Sequence, residues 1–418
     1  MYIQSKKYFY PTSTPTGLEA HKNLINAKAV EYMRYITFFA AALLVAGLCS
    51  AATIDVPADE PTIQAGIDAA VDGDTVLVAP GTYTGVGNRE LAINGKKIVV
   101  KGTDGLENTI IDCEGFNGFY MVDTWEDSLT EIANLTIKNG LNGIYLDNAN
   151  PKLSGLRIRE NSESGIKYDY SKDNKDLNRS GLLMLRNCKI AKNEEFGVSS
   201  HTGALGNLVM RDCEIDSNTA AGIYRTSENF DLKHCTFRNN GKIINSSHGF
   251  GTIDSCTFIE NPGGILIEWS IVDVHNSNFY GGGGLYGSHY GGFKVSNCLF
   301  EGVTKAISVA GYDGGEVSNC IIRNGGGIGS SRAPFDDEYC PLTFEDCEIY
   351  NNSGGFGGDD SWLTLRRCDI YNNSGGIFLD VGFASMLTME DCLYANNDGP
   401  IELSYGVDCD ITNCTFAN

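Results

Sequence analysis

Residues 344–359 read FEDCEIYNNSGGFGGD, and residues 365–380 read LRRCDIYNNSGGIFLD. Cys, Ile and the NNSGG run recur 21 residues apart. Aligned on that cysteine, the chain falls into thirteen blocks. Eleven are centred on Cys188, Cys213, Cys235, Cys256, Ser277, Cys298, Cys320, Cys347, Cys368, Cys392 and Cys414, and two earlier ones on Leu135 and Leu156. Most blocks are 21 or 22 residues apart, and the gap between Leu156 and Cys188 holds the polar stretch SKDNKDLNRS. Repeats of this length mark a stacked architecture in which one unit cannot bury its apolar face alone.

Within a block the order is apolar, polar, polar or small, Cys, polar, Ile or Phe. Such alternation predicts a strand with one buried face, shared by Cys and the Ile or Phe two residues on. Asn follows, often doubled, then Gly-Gly and an aliphatic residue that opens another strand. Asn and Gly tolerate the left-handed backbone of a tight turn. Two or three short strands per repeat, with no helical period, predict an all-β fold. The repeat predicts a parallel β-helix, a solenoid of about thirteen coils, ~60 Å long at ~4.8 Å per coil.

The asparagines after each block (Asn193, Asn218, Asn240, Asn261, Asn352, Asn373, Asn397) resemble the turn ladder of the pectate-lyase-like superfamily of right-handed parallel β-helices. The stretch PTIQAGIDAAVDGDTVLVAPGTY, residues 61–83, is similar to the opening of many secreted bacterial β-helix proteins. There a short amphipathic α-helix caps the first coil. Ile63, Ile67, Ala70 and Val71 fall on one face of such a helix over residues 61–71. The resemblance covers residues 53–418 and implies a fold. The superfamily holds lyases, hydrolases, epimerases, tail spikes and proteins without known activity, so fold alone assigns no function.

Ahead of that domain, the sequence from Met33 runs MRYITFFAAALLVAGLCSAATIDV. One Arg, a short apolar run and small residues before a cleavage point form a signal-peptide pattern over residues 33–52. An N-terminal membrane anchor is the alternative. Residues 1–32 then read as an upstream extension, and the ending DITNCTFAN, in mid-coil, reads as a truncated C-terminus. The expected location is secreted, extracellular or periplasmic, with no membrane span in the mature chain.

The chain carries a net charge of −22, and beyond residue 51 it holds 26 basic against 51 acidic residues. Such a surface repels nucleic acid and anionic membrane, and it makes a polyanionic substrate awkward unless cations bridge the two. Fourteen cysteines would ordinarily suggest disulfides. Stacked positions ~4.8 Å apart with parallel Cβ vectors do not suit a bridge, which needs Cβ atoms ~3.8 Å apart. Leu135, Leu156 and Ser277 replace Cys in the same register, so the thiols read as small buried hydrophobes. Cys113, Cys340 and Cys409 lie off that ladder.

Function has to sit on outward residues that do not repeat. Those of the strand after the glycines are Tyr145 and Asp147, Lys167 and Asp169, Ser199 and His201, Tyr224 and Thr226, Asn245 and Ser247, then Leu266 and Glu268. Lys167, His201 and Tyr224 are the candidate catalytic residues, able to supply the base, acid and charge neutraliser that polysaccharide chemistry needs. Asp147 and Asp169 are the candidate ligands for a calcium ion. Tyr145, Trp269 and Trp362 are candidate sugar-binding residues. A solvated row of mixed polar residues is the competing account of the same pattern. The loop at 171–180 projects near these coils. PFDDEY at 334–339 is a weaker calcium candidate, and GGDDSW at 357–362 has adjacent aspartates that point to opposite faces. SHGFG at 247–251 resembles a pectinase His-Gly stretch without that family's partner residues. Two functions stay open: a secreted polysaccharide-binding or polysaccharide-modifying protein (lyase, epimerase or glycoside hydrolase), and a non-catalytic cell-surface or adhesion rod.

Overall fold

The computed structural model describes residues 28, 30–31, 33–35, 51–169, 181–200, 206–226, 229–310, 314–331, 340–359, 361–380, 385–404 and 406–418. Two compact units divide the chain, Met1–Ala51 and Ala52–Asn418. In the first, residues 28, 30–31 and 33–35 are helical, and among the described residues no helix is long and apolar enough to cross a membrane. His201, the loop at 171–180, the stretch 334–339 and Asp360 lie outside the described residues.

The second unit is a parallel β-solenoid. Its strands form three sheets of sixteen, fifteen and thirteen members, and every pair is parallel. The first sheet runs from Thr53–Val56 to Asp408–Thr412, the second from Gly81–Tyr83 to Thr415–Ala417, and the third from Phe119–Val122 to Ile401–Leu403. About fifteen turns result, two or three more than the Cys-centred blocks number. The extra coils precede Leu135; Val76 and Val100 continue the interior row of Ile132, and their one cysteine, Cys113, follows the strand Thr109–Asp112 instead of preceding a strand of the second sheet, so it does not align with the others.

All three sheets fill the interior: Leu183 and Leu185 point in from the first sheet, Ile190 from the second, and Ile144 and Leu146 from the third. Ile190 stacks on Ile215, then Phe237, Phe258, Phe279 and Phe300, in register along the second sheet. The phenylalanine rings stack at centroid separations of 5.4, 4.5 and 4.6 Å. Each such fully buried side chain stabilises the coil by about 1.5–3 kcal/mol.

The block expected to be one strand is a corner between two. Gly181–Arg186 is a strand of the first sheet and Lys189–Ala191 one of the second. Asn187 between them has φ 53°. The residue before Cys or its replacement is left-handed in all thirteen blocks, from Asn134 and Gly155 to Asn413. A left-handed residue turns the chain between sheets and returns the next side chain to the interior. The apolar alternation therefore survives a bend that periodicity cannot show.

The cysteines sit inside that corner. The described cysteines are free, and all but Cys409 and Cys414 are buried, Cys113 and Cys340 included. Each ladder thiol donates back to the carbonyl two residues earlier, as Cys368 Sγ does to Arg366 O at 3.2 Å. At several rungs the sulfur also accepts the backbone N–H of the rung in the preceding coil, as Cys392 Sγ does from Cys368 N at 3.5 Å. At Ser277 the hydroxyl makes both bonds, to His275 O at 2.7 Å and from Cys256 N at 3.0 Å.

A second turn holds the asparagine ladder. Asn161 Nδ2 donates to Asn193 Oδ1, and the chain continues through Asn218 and Asn240 to Asn261 at 2.8–3.1 Å. Asn352, Asn373 and Asn397 form a second run at 3.0 and 2.9 Å. The left-handed residue is the one before each rung, such as Asn351 at φ 56°. Gly355 and Gly376 serve another need: a Cβ there would lie 1.8 and 1.9 Å from carbonyl oxygens of the next coil. These glycines let neighbouring turns touch.

An α-helix, Ile63–Ala69 (α1), lies on the first strands. Thr62 caps it, accepting from Ala65 N at 3.2 Å. Gly66 allows the approach, since a Cβ would come within 2.9 Å of Val56. Ile63 and Ile67 are buried, but the helix stops before Val71, which is 58% exposed instead of sharing their face. Asp74 fixes this exit by accepting from Val71 N at 2.9 Å and Ala52 N at 2.7 Å.

Candidate functional site

Strand pairing in the third sheet aligns the outward residues as a row. Tyr120, Tyr145, Lys167, Ser199, Tyr224, Asn245 and Leu266 follow one another across Phe119–Val122, Ile144–Asp147, Ser164–Asp169, Phe196–Ser199, Ala221–Thr226, Ile244–Ser247 and Ile265–Glu268. Asp147 pairs directly with Asp169. Four of the candidate residues, Tyr145, Lys167, Asp147 and Asp169, are thus brought together on two adjacent strands.

Their environment has a definite order. The Tyr120 and Tyr145 rings stack at 5.2 Å, with Tyr120 42% exposed. The Lys167 ammonium lies 5.7 Å from the centre of the Tyr145 ring. It also lies 3.6 Å from Glu163 Oε2. The same Glu163 oxygen accepts from Asn142 Nδ2 at 3.2 Å, and Asn142, buried, is held by Asn117 at 3.2 Å. Burial, the negative charges of Asp169 and Asp147, the Tyr120 ring and a hydrogen bond donated to Asp169 push the Tyr145 hydroxyl up to about 12. Tyr145 is therefore a neutral donor at ordinary pH and cannot act as a base there.

The remaining candidates are dispersed. Tyr224 lies two strands from Lys167, stacked on Phe196 at 4.8 Å, with the buried Ser199 between them. Trp269 follows the strand Ile265–Glu268, four strands and ~19 Å from Lys167 at the usual spacing. His248 and His289 of the coils on either side stack against its ring at 5.7 and 5.4 Å, and Tyr290 at 4.8 Å. Trp362 belongs to the first sheet, in register with Pro341 and Met386, on another wall of the solenoid. Among the described residues no three Asp, Glu, His or Cys side chains converge as metal ligands.

Sequence reasoning missed Tyr120, Glu163 and Asn142. Tyr120 was within reach, since FYMV repeats the alternation of IYLD one coil earlier. Glu163 and Asn142 come from the turn that precedes the strand, and their convergence on Lys167 depends on how two turns stack.

No curated protein matches the chain in sequence. Among solved structures it is similar to the A-module of the mannuronan C-5 epimerase AlgE6 of Azotobacter vinelandii, at 14% identity and TM-score 0.32 over 84% of this chain and 94% of that one. It is similar to the catalytic unit of a GH87 α-1,3-glucanase of Streptomyces thermodiastaticus, at 12% identity and TM-score 0.39 over 87% and 68%. Pectate lyase Pel9A is similar at 12% identity and TM-score 0.31 over 89% and 80%. The family model for the right-handed β-helix region matches four overlapping stretches, residues 76–240, 131–279, 176–313 and 268–416. With most of the solenoid under those matches, the chain belongs to the right-handed β-helix family.

Proposed function

We propose that the outer face of the third sheet around Tyr145 and Lys167 binds a polysaccharide, and that the protein is a secreted polysaccharide-binding or polysaccharide-modifying β-helix. One observation carries this reading: a stacked tyrosine pair, Tyr120 exposed and Tyr145 half-buried, lies beside an ammonium and two paired aspartates on adjacent strands. Aromatic rings offer apolar faces to sugar rings, while carboxylates and ammonium groups hydrogen-bond hydroxyls. Export is proposed from the leader-like pattern that starts at Met33.

In a modifying reaction, Tyr145 would donate a hydrogen bond, because its phenol is held neutral. Lys167 would neutralise developing negative charge, held in place by Glu163. Tyr224 and His201 remain the candidates for further proton transfer, and Asp147 with Asp169 for a calcium ion. Lyase, epimerase and glycoside hydrolase chemistry all fit these groups.

The test is a screen of the purified protein for binding and product formation on pectate, alginate, glycosaminoglycans, xylan and glucans, with and without calcium. Binding to at least one glycan is expected. It should weaken about tenfold in Tyr145→Ala, in line with the loss of a stacked aromatic contact. A protein that binds none of them would refute the reading.

A further inference from the structure

We infer that this site takes a neutral glycan and discriminates against a polyuronate. The inference rests on the polysaccharide reading of the site and narrows its substrate class.

Among the described residues, the cation beside the stacked tyrosines is Lys167. Lys167 is already engaged by Glu163 at 3.6 Å. Glu163 is not a loose counter-ion, because Asn142 Nδ2 holds the same oxygen at 3.2 Å. Asn142 in turn is locked by Asn117 and by the Ser164 N–H, which donates to its Oδ1 at 3.1 Å. The ammonium is therefore partly neutralised by a fixed carboxylate before any ligand arrives. Asp147 and Asp169, paired on adjacent strands, add two carboxylates whose charge acts on the Tyr145 hydroxyl. Among the described residues, Lys167 and the Tyr145 hydroxyl are thus flanked by three carboxylates, Glu163, Asp147 and Asp169. The chain as a whole carries a net charge of −22.

A polyuronate brings one carboxylate per sugar into this surrounding and is repelled. A neutral sugar brings hydroxyls, which donate to carboxylates in charge-assisted hydrogen bonds, while its ring lies on the exposed Tyr120. Elimination and C5 epimerisation both need a carboxyl group, free or esterified, beside the carbon that loses its proton. A neutral glycan without uronate esters therefore leaves hydrolysis or binding alone at this site.

Calorimetric titration of the full chain tests this with xylo- and gluco-oligosaccharides against oligogalacturonate and oligomannuronate. Each is run at low and high salt, with calcium and with chelator. Neutral oligosaccharides are expected to bind about tenfold or more tighter at low salt, with the gap narrowing as salt screens the carboxylates. In Glu163→Gln the ratio of uronate to neutral affinity should rise about three- to fivefold, the scale of one partly exposed ion pair. Tighter binding of a polyuronate than of any neutral glycan, with or without calcium, overturns the charge selectivity but leaves the polysaccharide reading standing. An unchanged ratio in Glu163→Gln also overturns it. Failure to bind every glycan overturns both.

Discussion

Single residues of this chain do one of three things, and the substitutions that test them differ. Asn218 is a rung: its Oδ1 receives both the backbone N–H and the Nδ2 of Asn193, at 3.2 and 2.8 Å. Asn218→Ala leaves buried donors without an acceptor and should cost about 3 kcal/mol in denaturant unfolding. Cys298→Ser should cost about 1 kcal/mol or less, because Ser277 already shows a hydroxyl making both bonds of that position. A loss equal to that of Asn218→Ala would mean the sulfur does more than pack. Asn319, at φ 52°, marks a corner. A β-branched residue there should cost about 1–2 kcal/mol, and glycine almost nothing.

The residue scale also shows what a sequence can and cannot disclose. The interior is legible because Cys, Ile and Phe recur at a fixed spacing, and Asn193 to Asn397 announce their ladder by the same means. The corner before each cysteine was hidden, since a left-handed residue preserves the in–out alternation it interrupts. At the site, Tyr145, Lys167, Asp147 and Asp169 could be aligned from strand register alone. Glu163 and Asn142 could not, because their meeting depends on the path of turns that vary in length. Trp362 looked eligible as an aromatic residue, and only sheet membership separates it from the others.

Elements are tied to their neighbours by clamps that cross coils. Asp254, ending the strand Gly251–Asp254, accepts from Asn276 Nδ2 at 2.9 Å and lies 3.0 Å from Lys233 Nζ. Asn276, Lys233 and Ser255 hold its carboxyl down at about 2. The unfolded chain titrates near 3.9, so this clamp contributes above that pH and is lost as the pH falls from about 4 to about 2. Asp254→Asn should flatten the acid limb of the stability curve within that window, and an unaltered limb would show the clamp to be idle. Helix α1 depends on Thr62, and Thr62→Ala should cost about 1 kcal/mol, read as earlier loss of protection at Ile63 and Ile67 in hydrogen exchange.

The whole molecule is a sum of coils, each bonded to the one before and the one after. Residues 348–368 are one 21-residue period, and removing them joins Cys347 to Asp369 with the register intact. That deletion should fold into a solenoid one coil shorter, with unchanged strand content per residue by circular dichroism. Removal of ten residues from the same place should not, since it brings outward residues into the interior. If both deletions behave alike, stacking register is not what specifies the fold.

The eleven buried thiols among the described residues have a use beyond packing. Enclosed in the interior, each is out of reach of alkylating reagents until its own coil opens. Because one stands at nearly every coil from Cys188 onward, pulse alkylation read by mass spectrometry would time the opening of each coil separately. The protein thus carries a built-in chemical clock at ~4.8 Å intervals along its axis, and the order in which its marks are struck would show whether the rod frays from an end or splits in the middle.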